Sequence, residues 1–112
     1  MTSSANRYPE MPDPASVHLW RTDPDYELVW HDLDGDFAVY NPKSGHTHVL
    51  DVVGGTVLQL IGVEGRTMPS IVDALAQFLD LPATDELAAT AARMVRWLDE
   101  EGLIEPGETD AG

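Results

Sequence analysis

His46-Thr47-His48 places two imidazoles two residues apart. On a strand, residues i and i+2 share a face, so the pair has a geometry that offers two ligands to zinc. A third ligand would have to come from His31, His18 or a carboxylate, and no spacing supports one. Asp32, Asp34 and Asp36, with Asp23 and Asp25 nearby, alternate oxygen ligands around Gly35 in a partial calcium-loop pattern, but no Glu closes the loop at the right distance. These acids read as turn formers and solvated charges. Gly54-Gly55 stands in neither a G-x-x-x-x-G-K-[ST] nor a G-x-G-x-x-G context, so phosphate cradling has no support. Ser3, Ser4, Ser16, Ser44 and Ser70 fall in tails, turns or a cap rather than on a nucleophile elbow. The absence of cysteine removes disulfides, thiolate metal sites and a cysteine nucleophile. The reading is of a protein with no catalytic set, no metal and no cofactor.

Charge narrows the choice further. The 112 residues hold 20 acidic and 6 basic side chains, for a net charge of −14. The imbalance is not confined to the ends, because positions 17 to 105 alone carry 16 acids against 5 bases. Nucleic-acid affinity rests mainly on Lys and Arg neutralising phosphates, so no nucleic acid is expected as a partner. No apolar run approaches the roughly 18 residues of a membrane span, and the N-terminal MTSSANRYPEMPDP has no hydrophobic block of a secretory signal. No membrane partner and a cytoplasmic location are expected. A hydrophobic fraction of 43% suits one globular domain of this length.

The elements follow from period and punctuation. Residues 1–16 hold Pro9, Pro12 and Pro14 among Ser, Asn and Asp and offer no apolar face, so they are expected as a disordered arm. PGETDAG after Glu105 has the same character, which leaves 17–105 as the domain and 106–112 as a disordered tail. Tyr26 to His31 and Phe37 to Tyr40 are β-branched and aromatic runs around Asp34-Gly35, a strong type I′ hairpin signal. With that dipeptide as the loop, Trp30 faces Val39 and Asp32 faces Phe37, and Trp30, Val39 and Phe37 share the core face. Asn41-Pro42-Lys43-Ser44-Gly45-His46 turns the chain again into Thr47 to Leu50, completing a three-stranded antiparallel meander. Val17 to Trp20 either adds a short strand or lays Trp20 over the sheet.

Three helices follow. Asp51 can cap the first, whose apolar positions are Val53, Val57, Leu58, Leu60 and Ile61. Gly54-Gly55 inside it costs about 1 kcal/mol each against Ala, so the first turn is either loose or closely packed upon. Thr67 or Ser70 caps the second, with Ile71, Leu75, Phe78 and Leu79 as its stripe, and Leu81-Pro82 ends it. Thr84 precedes the third and longest, in which Leu87, Ala91, Met94, Val95 and Leu98 recur at helical spacing up to Gly102. Leu103-Ile104 then folds back onto the bundle or the sheet. The order is that of an α+β fold whose three helices look like a helix-turn-helix trio. The third helix carries more acids than bases, against a DNA-reading role. Two features survive as candidate binding surfaces. Thr47 to Leu50 forms a terminal strand whose edge an extended peptide can complete, and Thr90, Arg93 and Trp97, with Met94 beside them, form a face of types enriched at interfaces.

From Trp30 to Pro106, WHDLDGDFAVYNPKSGHTHVLD, then VLQLI, then RWLDEEGLIEP, the chain resembles the PqqD-like family, and within it the branch associated with the HPr-rel-A system. The similarity covers about two thirds of the chain, and its most specific part is the V-Y-N-P-x-S-G-x-T-H-x-L-D run. The resemblance implies a winged helix-turn-helix peptide chaperone, the peptide recognition element of ribosomally made peptide pathways. It implies a precursor or leader peptide added to the third strand at Thr47, His48, Val49 and Leu50. The same peptide would lie in a groove lined by Thr90, Arg93, Met94 and Trp97 and be presented to a modifying enzyme. Accessory docking to a kinase-like, HPr kinase-related protein without any peptide is the alternative. The extension carrying Val17 to Trp20, which could cover the first strand's edge, and Gly54-Gly55 depart from the family pattern.

Overall fold

Asp34 and Gly35 both take positive φ, 65° and 114°, as the two central residues of a type I′ turn must. Asp32 secures the turn by accepting the Asp34 amide at 2.9 Å. In the computed structural model, which describes residues 17–107, this turn joins β2 (Val29–Leu33) to β3 (Asp36–Asn41). Trp30 pairs with Val39 and Asp32 with Phe37, the register that a two-residue loop dictates. The ring of Phe37 meets Trp30 edge-on, with centroids 5.6 Å apart, and Val39 is fully buried between sheet and helices. The second turn returns the chain as β4 (His46–Leu50), antiparallel to β3, so the order in the sheet is β2-β3-β4. Buried Asn41 holds that turn by accepting the Lys43 amide, and its side-chain amide donates to the Gly102 carbonyl.

Each helix begins at a side-chain cap. Asp51 accepts the Gly54 amide at 2.8 Å to start α1 (Val52–Ile61). Thr67, not Ser70, caps α2 (Met68–Leu79), while Ser70 instead accepts from Arg66. Thr84 caps α3 (Asp85–Glu100) through the Leu87 amide, with Asp85 and Glu86 on the positive end of the helix dipole. Thr84→Ala is expected to lower stability by about 1 kcal/mol. Chemical denaturation checks this, and a change under about 0.3 kcal/mol would mean that this exposed cap contributes little.

The helices cover the inner face of the meander. Val39 and Leu50 from the sheet meet Val57, Leu58 and Ile61 of α1, Ile71 and Leu75 of α2, and Ala91, Val95 and Leu98 of α3. Leu103 and Ile104 fold back into the same core. Phe78 does not share it. At 60% exposure it sits on the flank of a stripe centred on Met68, Leu75 and Leu79, about 100° per residue around the helix. The glycine pair is a packing device rather than a loose turn. A methyl group on Gly55 would lie 2.9 Å from Cε2 of Phe37 and nearer still to Cδ2, so the ring occupies the place of a side chain.

The N-terminal segment forms a strand but leaves β2 alone. β1 (Leu19–Arg21) pairs antiparallel with β5 (Glu105–Gly107), Leu19 opposite Gly107, as a separate two-stranded sheet. Arg21 and Glu105 add an ion pair at 3.0 Å. Trp20 is completely buried and exchanges two backbone hydrogen bonds with Arg66 in the α1–α2 connection. The extension therefore covers no edge of the meander, and Pro106 and Gly107, read above as tail, belong to β5. The arm expected at 1–16 and residues 108–112 lie outside the described residues. Among the described residues, no helix is long and apolar enough to cross a membrane.

Candidate functional site

The closing pair of a type I′ hairpin, here Leu33 and Asp36, is hydrogen-bonded, and antiparallel pairs then alternate between bonded and non-bonded. On β3 this directs the main-chain groups of Asp36, Ala38 and Tyr40 toward β2 and those of Phe37, Val39 and Asn41 toward β4. His48 and Leu50, opposite Val39 and Phe37, are thereby engaged in the sheet. Thr47 and Val49, opposite Tyr40 and Ala38, direct their N–H and C=O to the open edge. Among the described residues no strand pairs with that edge. Of the four residues read as main-chain donors and acceptors for a ligand, two therefore have free groups.

Beside this edge runs α3, and between them lies a groove of about 500 Å³. Val49, Leu50 and Asp51 form its strand wall, Gly54 its floor at the start of α1, and Thr90, Arg93, Met94 and Trp97 its helix wall. Asp36, one residue before Phe37 as Asp51 is one after its partner Leu50, completes the strand side. Val49 is 63% exposed and Trp97 36%, both high for such apolar residues. Arg93 donates to Thr90 Oγ1 at 3.2 Å and has no carboxylate partner among the described residues. Arg21 and Lys43, by contrast, are paired with Glu105 and Asp23.

The structure thus brings six of the eight sequence-read residues to one groove: Val49, Leu50, Thr90, Arg93, Met94 and Trp97. Thr47 stays on the open edge but outside the groove. His48 lies outside the groove, on the inner face with Val39 and Leu50, where its Nδ1 lies 3.2 Å from Glu101 Oε1 and its buried Nε2 has no hydrogen-bond partner among the described residues. His46 is exposed, and among the described residues no group of three or more His, Asp and Glu side chains is placed to hold a metal.

The family of Coenzyme PQQ synthesis protein D (PqqD) matches residues 36–104, more than half of the chain. The chain belongs to the PqqD family. Two solved structures share the fold of this PqqD-family chain. One is TbiB1 in complex with the TbiA(beta) leader peptide, at 20% identity and a TM-score of 0.57, covering 80% of this chain and 99% of that one. The other is the PqqD truncation of Methylobacterium extorquens PqqCD, described as a functional, stand-alone recognition element for ribosomally synthesized and post-translationally modified peptides. It is 20% identical with a TM-score of 0.60, and the match covers 84% of this chain and 99% of that one. No curated protein matches the chain significantly.

Sequence reasoning missed Asp36, Asp51 and Gly54 as groove residues of this PqqD-family fold. Asp36 and Asp51 each stand one residue beyond the observed Phe37–Leu50 pair, a register that the sequence reading did not assign. On the far side of α3's last turn, burial pushes the Asp99 carboxyl above its usual range, helped by Glu100 and opposed by Arg96. An acid whose folded value is raised takes up a proton on folding, so stability falls as pH climbs from the ordinary carboxylate range through the raised one. Asp99→Asn is expected to raise the thermal midpoint at pH 7 and to match the parent at a pH low enough to protonate both states. An advantage that persisted unchanged into acid would assign the effect to something other than ionisation.

Proposed function

We propose that this PqqD-family chain is a non-catalytic peptide-binding module. It captures an extended precursor or leader peptide as an added strand on β4, beside α3, and presents it to a modifying enzyme. The observation that carries this reading is the open main-chain edge at Thr47 and Val49, facing a groove whose other wall holds Arg93, Met94 and Trp97. Main-chain pairing supplies affinity in such an arrangement and the groove supplies side-chain selection. The neighbour bound to a leader peptide, and the one described as a recognition element, support the same use of the fold. In this reading the three helices and the β2–β3 hairpin act as a winged helix-turn-helix whose third helix faces a peptide rather than DNA. The acidic surface favours that assignment, since a chain of −14 repels a polyanion. The protein partner in this reading is the modifying enzyme or, in the HPr-rel-A branch that the sequence resembles, an HPr kinase-related protein.

Immobilised protein exposed to lysate of its source at physiological salt, with bound peptides and proteins identified by mass spectrometry, tests the reading. A short peptide retained by the parent and lost with both Val49→Pro and Trp97→Ala is the expected result. Capture of a large partner alone, kept by both variants, would replace it with accessory docking through another surface.

A further inference from the structure

The groove has two charged walls of opposite sign. Asp36 and Asp51 stand on the strand side, and Arg93 stands on the helix side. Asp51 Oδ1 accepts from the Gly54 amide, so its position is fixed by the cap of α1. Arg93 is steadied through Thr90 and forms no ion pair with a carboxylate of its own chain among the described residues. Between the walls the surface is apolar, formed by Leu50, Met94 and Trp97 over the bare backbone of Gly54. There a methyl group would meet Met94 Sδ at 3.2 Å. A purely apolar strand would leave both signs of charge partly desolvated and unpaired, which disfavours it. A uniformly acidic strand would be repelled by the chain's overall −14, and a uniformly basic one would meet Arg93.

We propose that the segment held here is a strand with an apolar anchor and two charges of opposite sign, an acidic side chain directed at Arg93 and a basic one at Asp36 and Asp51. This deepens the peptide-binding reading above and rests on it. Arg93 and Asp36 are then specificity residues: they choose among peptides that all pair with β4 equally well. A carboxylate on Arg93 can form a two-pronged hydrogen bond, which ties the position of the acid relative to the anchor. The net negative charge of the molecule draws in peptides of net positive charge, and Arg93 then selects those that still carry an acid at one position.

A display library of random nonapeptides, selected against the parent, Arg93→Glu and Asp36→Lys, tests the proposal, with selected peptides resynthesised for fluorescence anisotropy. Both substitutions are at exposed positions, and circular dichroism of each variant checks that it folds. The expected result is enrichment of an apolar residue flanked by one acid and one base. Arg93→Glu should exchange the acid for Lys or Arg at the same position, and Asp36→Lys should exchange the base for an acid. Each parent-selected peptide should bind its mismatched variant at least tenfold more weakly and recover when its own charge is reversed. Enrichment of the same charges by all three proteins overturns the charge assignment and leaves strand capture standing. Peptides that bind equally well to Val49→Pro, or no enrichment at all, overturn strand capture and the charge assignment with it.

Discussion

Val49→Pro is expected to leave the domain folded and to weaken peptide binding between about tenfold and a hundredfold. The argument is one of direction. Because the Asp34-Gly35 loop closes on a bonded pair, the Val49 amide points away from β3, and removing it breaks no bond within the sheet. Its side chain is mostly exposed, so little buried apolar area is lost. A ligand strand, however, loses a donor and keeps an unpaired carbonyl against the proline ring. One net hydrogen bond is worth about 1 kcal/mol and an unsatisfied partner costs about 1–3 kcal/mol, and each 1.4 kcal/mol is tenfold in affinity. His48→Pro, one residue earlier, removes an inward-pointing amide and is expected to damage the fold itself. Thermal melts and anisotropy titrations of the pair separate the two effects. Equal peptide affinity in Val49→Pro and the parent would sink strand addition at this edge.

Gly55→Ala is expected to destabilise the protein by about 1–2 kcal/mol, although alanine is the better helix former by about 1 kcal/mol. Overpacking in a filled core costs about 1–3 kcal/mol, and here the obstruction is an aromatic ring, not a flexible tip. Phe37 cannot withdraw freely because its other side meets Trp30 at an interplanar angle of 81°. The adjacent Gly54→Ala should differ sharply, since its new methyl group meets the thioether of Met94, which can shift by a few tenths of an ångström. Urea denaturation of Gly54→Ala, Gly55→Ala and Gly55→Ala with Phe37→Leu decides the matter. Partial recovery in the double variant is expected, and a stabilised Gly55→Ala would refute the close approach.

These two cases also show where the sequence was informative. The hairpin register was legible because Asp-Gly fixes the loop length, and a fixed loop fixes every pair beyond it. The cap at Asp51 was legible, and the third helix was placed just after Thr84, because each precedes a run of apolar residues at helical spacing. What stayed hidden depends on contacts between distant positions. A three-residue strand such as β1 has no periodicity to read, and its partner β5 lies at the other end of the domain. Nothing local to Gly54-Gly55 announces that Phe37 fills the space above the second glycine. The helix wall of the groove followed from helical spacing alone, whereas its acidic wall required β3, β4 and α1 to be assembled first. Choosing between Thr67 and Ser70 turned on Arg66, whose guanidinium occupies the Ser70 hydroxyl.

The pairing of Leu19 with Gly107 brings the two limits of the described domain to adjacent positions. That clasp sits by Gly62 and Arg66, past the C-terminal end of α1, whereas the groove opens at Gly54 near its start. At 1.5 Å per residue, the eight residue steps from Gly54 to Gly62 hold the two apart by about 12 Å along α1. A partner joined at Leu19 or at Gly107 would therefore be attached at one shared place, away from the proposed strand site. Tethering a catalytic subunit there would raise its effective concentration at the captured peptide without obstructing capture, and either chain order would serve equally well.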